Sequence, residues 1–598
     1  MNNRLSLYAF LVCVAFLLAV GTIYYPKWNK GQTEATISWD VSGYYFYLPA
    51  VFIYKDIHQV AFRDSIHQKY RPADAPYQAF QHPSGNYVMK YSSGLAVQYL
   101  PFFLTAHVLA PSLGYPADGF SLPYQAAISW GSLLVAFLGL WLLRRNLLRH
   151  FSDTATAITL LLIVFGTNYL DYAAINGAMT HNYLFTLYAA LVAVTASWYD
   201  RPTLLKAIGI GFLVGLAALT RPTEILTALI PLLWGVANGA DFQQRLGLWK
   251  KHWLQMAAAV VICGLVGSIQ LLYWKVSSGD WIVYSYEDQG FSWLKPHIDR
   301  GVFSFRAGWL VYTPVMAFAV LGFVWLYKKH ASLFPAILVF FLLFLYVTFA
   351  WDIWWYGGSL GQRAMVQSYA VLAFPLAAFV EWLKDRKSLR YFVFAIFILF
   401  SYYNLWLTHQ AHKGGMLEPG FMTKAYWKRI VLRYDLPVET RKLLDTDRDF
   451  GNRRRNVQVV YENNCENAEV WADCPIPPIE GSRSACIGAG RQFSEPFGFE
   501  LPANGSRKLR ATVTVRSQNK EWDTWKMAQL IVRIKNNDEA VHERAIRVFR
   551  LLNDNDTKEI YLDVLLPDRP FNRAEVFFWN ADSDKPLAID QLRVERFD

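Results

Sequence analysis

The sequence is poor in charge, in cysteine and in the short signatures of common enzyme classes. Asp, Glu, Lys and Arg make up 18% of 598 residues while 54% are apolar, against about a quarter charged in a soluble domain. One water-soluble globule is thereby excluded. Five cysteines are too few for a disulfide-stapled scaffold. Cys13 and Cys263 fall in apolar runs, where a thiol behaves as a small hydrophobe. Cys465, Cys474 and Cys486 fall in a polar tail; one disulfide plus a free thiol fits, and spacing does not choose the pair. No P-loop, no G-x-S-x-G, no H-E-x-x-H and no paired C-x-x-C occurs, and the histidines are scattered rather than grouped as metal ligands. Neither a metal nor an organic cofactor is expected.

What is present is a series of long apolar runs. The mean hydropathy is only +0.16, the average of a very apolar part and an ordinary polar one. A membrane span needs about 20 apolar residues. Eleven candidates are Leu5–Tyr25, Pro123–Leu143, Ala155–Tyr172, Asn182–Trp198, Leu204–Thr220, Glu224–Val236, Leu254–Trp274, Leu310–Tyr327, Leu333–Ala350, Ala364–Leu383 and Tyr391–Leu407. The first could be read as a signal peptide, but no small-x-small cleavage pattern follows it, so an uncleaved span is expected. The fifth and sixth are short and separated by Thr220-Arg221-Pro222-Thr223, a break like those of half-helices lining a cavity.

The net charge of +11 reads as topology rather than as a nucleic-acid surface. Basic residues cluster at Arg144/Arg145/Arg149, Arg201/Lys206, Arg245/Lys250/Lys251, Lys328/Lys329 and Lys384/Arg386/Lys387/Arg390. With the N-terminus inside, all five groups fall on the cytoplasmic side. The outer loops are then 26–122, 277–309 and 351–363. Within the first, Tyr44–Tyr54 and Gly94–Leu109 read as interfacial helices.

Three domains are expected: a membrane domain at 1–410, a connector at 411–455 and an extracytoplasmic domain at 456–598. In Lys508–Arg516, Leu509, Ala511, Val513 and Val515 alternate with polar residues, the period of a half-buried strand. Ala528–Ile534, Arg544–Leu551, Ile560–Leu566, Glu575–Trp579 and Leu592–Val594 are further short strands. The fold class expected is therefore an α-helical polytopic domain followed by an all-β, jelly-roll-like sandwich.

Ionisable and aromatic residues at the outer face are the candidates for chemistry. Asp40, in TISWDVSGYYFYLPAVF, fits a helix N-cap or a general base for an acceptor hydroxyl. Arg221, in GLAALTRPTEIL, fits a phosphate-binding fork, a partner of Glu224, or a snorkelling side chain. His181 opens the fourth span. Lys90 and Tyr91 open KYSSGLAVQYLPFF, with Tyr44 close to Asp40 in sequence. Glu287 lies in the second outer loop. Asp352, Trp355 and Arg363 lie in WDIWWYGGSLGQR. Aromatic loops with carboxylates suit sugar stacking, and equally an interfacial belt. The D-x-D pairs Asp445/Asp447, Asp554/Asp556 and Asp582/Asp584 read as surface turns.

The segments WDVSGYYFYLPA, KYSSGLAVQYLPFF, AMTHNYLF, LTRPTEIL, VFSFRAGWLVYTPVM and WWYGGSLGQR, in that order over residues 1–410, resemble bacterial GT-C glycosyltransferases. The resemblance is to the branch of protein O-mannosyltransferases and lipid A aminoarabinose transferases. It implies a polyprenyl-phosphate-linked sugar donor and transfer with inversion at the outer face of the bacterial cytoplasmic membrane. It also implies Asp40 as the base and Arg221, Arg363 and Lys90 as the cations on the donor phosphate. Tyr44, Tyr91, His181, Glu287, Asp352 and Trp355 are the implied substrate contacts. Asp40 is followed by Val41 where many relatives carry Asp-Glu and a nearby Tyr, which leaves the acceptor open among glycan, lipid and protein. Besides these, membrane lipids are the only partners expected. The rival classes are a flippase for a lipid-linked glycan and a non-catalytic carbohydrate-binding scaffold. Inverted repeats with matched breaks would favour transport, and only one break is evident.

Overall fold

The computed structural model describes residues 4–286, 289–451, 454–466, 474–519, 526–552 and 556–598. The chain divides into two compact units, Met1–Gly420 and Phe421–Asp598. Apolar helices come first and a β-sheet domain follows, the architecture expected from the hydropathy pattern.

The first unit contains eighteen α-helices among the described residues. They are α1 (Arg4–Ala19), α2 (Trp39–Tyr45), α3 (Tyr47–Phe52), α4 (Arg63–Tyr70), α5 (Gly94–Ser112), α6 (Leu122–Leu147), α7 (Asp153–Gly166), α8 (Thr180–Asp200) and α9 (Leu204–Thr220). After these come α10 (Leu229–Leu233), α11 (Gly239–Lys251), α12 (Trp253–Ser278), α13 (Ile298–Phe303), α14 (Trp309–Tyr312), α15 (Met316–Lys329), α16 (Phe334–Ala350), α17 (Tyr369–Leu383) and α18 (Lys387–His409). All eleven expected runs carry helix. Among the described residues, six helical stretches are long and apolar enough to cross a membrane: Arg4–Asn29, Gly94–Ser112, Leu122–Leu147, Trp253–Ser278, Arg363–Leu383 and Lys387–Gly414. Gly94–Leu109, read as an interfacial helix, lies within α5, whose 19 residues are also long and apolar enough to span. A short hairpin, β1 (Ala79–Gln81) with β2 (Tyr87–Met89), sits in the first long loop.

Burial sorts these helices by environment. α12 leaves Val260, Val261, Leu265, Ile269 and Leu272 exposed, an apolar surface that water would not tolerate and lipid does. α17 is the opposite, with every residue from Tyr369 to Val380 buried, as expected for a helix apolar all round at the centre of a bundle. Small residues set the closest approaches. A β-carbon at Gly211 would lie 2.1 Å from the Ala259 carbonyl on α12, and one at Gly322 would lie 1.9 Å from the Pro375 carbonyl on α17. The break expected at Arg221 is present: α9 stops at Thr220, and Pro222 opens a 3₁₀ turn, Pro222–Ala228, leading into α10. A like 3₁₀ turn, Arg363–Ser368, leads into α17.

The second unit is an antiparallel sandwich. Its strands are β3 (Gln458–Asn463), β4 (Ala485–Ile487), β5 (Phe497–Glu500), β6 (Lys508–Arg516), β7 (Gln529–Asn536), β8 (Glu539–Arg547), β9 (Thr557–Leu565), β10 (Arg573–Trp579) and β11 (Leu587–Phe597). One sheet has the order β5-β10-β7-β8, the other β3-β11-β6-β9 with β4 also on β11. Their inner faces share one core that includes Leu509, Val513, Val532, Ile534, Leu562, Val576 and Phe578. Helix α19 (Lys424–Ile430) and the 3₁₀ turn Val438–Leu444, part of the stretch read as a connector, belong to this unit. On β6 the expected alternation holds, with Arg510 as the exception. Arg510 is buried, donating to both Asp563 oxygens at 2.7 and 2.8 Å. The disulfide joins Cys474 to Cys486; Cys465 is a buried thiol.

Candidate active site

Asp40 is brought to its place by an unusual start to α2. Trp39 has φ 48°, a left-handed conformation that costs a bulky residue about 1–3 kcal/mol. Its N–H donates to the Pro72 carbonyl at 2.7 Å. The Ser38 hydroxyl turns back to the Ala35 carbonyl at 2.7 Å instead of capping the helix. Asp40 does not cap it either. Its carboxylate is engaged by side chains: the Tyr91 hydroxyl donates to Oδ1 at 2.8 Å and Arg363 Nη2 pairs with Oδ2 at 2.9 Å. Burial works to raise the carboxyl pKa, but the Arg363 charge and the Tyr91 bond outweigh it and hold Asp40 below the usual carboxylate range. Burial and then the Asp40 charge push the Tyr91 phenol well above its ordinary value. Tyr91 can approach because residue 43 is glycine, where a β-carbon would meet the ring at 2.4 Å. Tyr44 packs on the same ring, 4.5 Å between centroids.

These groups open onto a cavity of about 500 Å³, a size suited to a small-molecule site. Of the residues singled out in the sequence, Asp40, Tyr44, Lys90, Tyr91, His181, Arg221 and Arg363 all line it, although they are spread over more than 300 positions. Arg221 makes no ion pair among the described residues; its guanidinium lies 5.5 Å from the centre of the Tyr356 ring. Glu224, the partner that the pairing alternative needs, is engaged elsewhere: it accepts from the Tyr188 hydroxyl and from Gln367 Nε2 at 3.2 Å. The Nε–H of Arg363 is buried without a partner among the described residues. Lys90 Nζ stands 5.3 and 6.0 Å from the Tyr77 and Tyr286 rings. Among the described residues, Arg221, Arg363 and Lys90 thus share the cavity with one paired carboxylate, Asp40, and one engaged carboxylate, Glu224. The close fit behind Arg221 also depends on a glycine. A β-carbon at Gly94 would stand 2.3 Å from the Thr220 backbone nitrogen, so α5 fixes the end of α9 that carries the guanidinium.

Asp352 and Trp355 are not among the lining residues. Asp352 fastens the second outer loop, accepting from the Gly290 N–H at 2.9 Å and the Ser292 hydroxyl at 2.6 Å. Trp355 carries the Arg306 guanidinium 3.7 Å above its ring. Glu287 lies outside the described residues. Sequence reasoning missed Tyr286, Tyr356 and Gln367 as lining residues. Tyr356 adjoins a glycine pair and has φ 54°; the Gly357-Gly358 pair was the only local signal. Asp445 of the D-x-D pairs accepts from Arg547 at 2.6 Å and from Arg550, and Asp554 lies outside the described residues. Among the described residues no group of three or more His, Cys, Asp or Glu is placed to hold a metal ion.

No family model matches the chain, and no curated protein matches it. Solved structures similar to it include the apo oligosaccharyltransferase of Archaeoglobus fulgidus, at 12% identity and TM-score 0.37, over 71% of this chain and 57% of that one. The arabinosyltransferase EmbB of Mycobacterium smegmatis is similar at 10% identity and TM-score 0.35, over 99% of this chain and 64% of that one. A family 16 carbohydrate-binding module is similar over 23% of this chain and 99% of its own, at 13% identity and TM-score 0.18. The chain thus spans 57% and 64% of the two transferases. At these identities and TM-scores no activity passes from those proteins to this one.

Proposed function

We propose that the chain is a membrane glycosyltransferase of the GT-C type that moves a sugar from a polyprenyl-phosphate donor to an acceptor hydroxyl, with inversion. The observation that carries this reading is the convergence of Asp40, Arg363, Arg221 and Lys90 on one cavity of about 500 Å³ in a unit of membrane-spanning length helices. Asp40, ionised at neutral pH, takes the proton of the acceptor hydroxyl. The freed oxygen attacks C1 of the sugar, and the C1–O bond to phosphate breaks with its electron pair leaving on polyprenyl phosphate. Arg221 and the Nε–H of Arg363 are donors for the phosphate oxygens where negative charge grows, and Lys90 adds a point charge. Attack opposite the leaving phosphate gives inversion. Tyr91 keeps Asp40 oriented, and the aromatic walls from Tyr44 and Tyr286 offer faces to the sugars.

The outer face of a bacterial cytoplasmic membrane is the proposed location, with the sandwich of the second unit on the acceptor's side of the membrane. The test is to delete the gene and analyse both surface glycans and lipid-linked intermediates. A missing surface sugar with its lipid-linked donor unchanged in leaflet supports transfer. Accumulation of the intermediate in the inner leaflet would instead show transport.

A further inference from the structure

His181, Glu224 and Gln367 of the cavity lining belong to a buried chain of side chains that the transfer step does not use. The Tyr188 hydroxyl donates to Glu224 Oε2. Glu224 Oε1 accepts from Gln367 Nε2 at 3.2 Å, and Gln367 Oε1 lies 2.9 Å from His181 Nδ1. Glu224, Gln367 and His181 are 1%, 1% and 2% exposed. Each link dictates the next. An ionised Glu224 only accepts, and the Gln367 amide then turns its NH₂ to Glu224 and its oxygen to His181. An amide oxygen only accepts, so Nδ1 of His181 must carry a proton. The Tyr172 ring stands edge-on to the imidazole at 5.5 Å and 78° and limits its rotation.

The charge of the ring is settled by its surroundings. His181 lies in the first turn of α8, at the positive end of a 21-residue helix. It shares the cavity with Arg221 and Arg363, and no carboxylate pairs with it among the described residues. A second proton on the imidazole would be buried among like charges. The ring is therefore neutral, and with Nδ1 protonated its Nε2 is a lone-pair acceptor on a residue that lines the cavity together with Arg221 and Arg363. Arg221, Arg363 and Lys90 suit phosphate; a bare nitrogen repels phosphate oxygens and accepts from a hydroxyl.

We propose that Tyr188, Glu224 and Gln367 act as positioning residues that lock His181 in the Nδ1–H form, so that Nε2 accepts a hydrogen bond from a hydroxyl of the lipid-phosphate-linked sugar. The hydroxyl contact rests on the transferase reading above; the tautomer does not. It makes His181 a selector for the sugar rather than for the lipid or the phosphate, because a sugar lacking that hydroxyl leaves a buried acceptor unpaired.

The test uses the full chain labelled with ¹⁵N-histidine in lipid nanodiscs, with the His181 signals assigned by their loss in His181→Phe. The expected spectrum at pH 7.5 has a protonated Nδ1 and a bare Nε2, and Gln367→Leu converts this single form into a mixture. A protonated Nε2 in the wild type, or an unchanged spectrum in Gln367→Leu, overturns the proposal. Polyprenyl phosphate is then added, alone or bearing glucose, mannose or arabinose. The Nε2 signal is expected to move with at least one sugar-bearing lipid and not with polyprenyl phosphate. Movement with the bare phosphate, or with none of the lipids, overturns the hydroxyl contact. Should one of those same lipids still donate its sugar in a transfer assay, the transferase reading stands without it.

Discussion

Gly43→Ala perturbs the candidate base without touching a charged group. A β-carbon there would stand 2.4 and 2.5 Å from two ring carbons of Tyr91, where ordinary contact begins at 3.4 Å. The ring must retreat by about 1 Å. Its hydroxyl now donates to Asp40 Oδ1 at 2.8 Å, and a retreat of that size breaks the bond. A hydrogen bond to a charged group is worth about 1.5–3 kcal/mol, so kcat/KM should fall about 10- to 100-fold. Tyr91→Phe should cause a similar loss, and the double variant little more, because both changes remove one bond. The pH profile gives an independent sign. The Tyr91 bond helps Arg363 hold the Asp40 carboxyl low against burial. Removing it raises that pKa, so the acid limb of the rate profile moves to higher pH in both variants. Initial rates of labelled-sugar transfer from membranes across pH, with thermal melting as a control for folding, make the measurement. A wild-type rate for Gly43→Ala, or losses that multiply in the double variant, would refute the reasoning.

Arg221→Ala should lower transfer about 10²–10³-fold with an unchanged melting profile, since the guanidinium has no ion-pair partner among the described residues; Arg221→Lys should recover only part of it, because an ammonium cannot fork onto two oxygens. In the second unit, Arg510→Met strands Asp563, which is 1% exposed, and should cost about 3–5 kcal/mol. Adding Asp563→Leu should restore most of that in a chemical-denaturation series. Cys474→Ser opens a loop whose ends are 12 residues apart; the loop-entropy relation gives a loss of about 3 kcal/mol, seen as a lower melting temperature for the second unit and reproduced by reductant in the wild type.

The architecture was legible because hydropathy and alternation are local. Runs of apolar residues marked the helices, Pro222 marked the break after α9, and the period-two pattern of Lys508–Arg516 marked β6. What was not legible depends on tertiary neighbours. The short strands β4 and β5 owe their pairing to β11 and β10, and three or four residues show no period of their own. Arg510 looked like an outward position until Asp563 on the neighbouring strand gave it a buried partner. In the candidate site, ionisable residues beside apolar runs stood out, and Asp40, Arg221 and Arg363 do share a cavity. Gln367 could not be found that way. A glutamine inside an apolar helix start has meaning only through Glu224 and His181, which lie 143 and 186 positions away. Asp352 and Trp355 stood out by composition, yet one fastens a loop and the other carries Arg306.

Asp40 is the group proposed to take the acceptor's proton. Asp40→Asn keeps the size of the side chain and removes the charge. In membranes given labelled polyprenyl-phosphate sugar, with expression matched to the wild type, transfer should fall nearly to background while the lipid donor still binds. Full transfer by the Asn variant would remove Asp40 as the base.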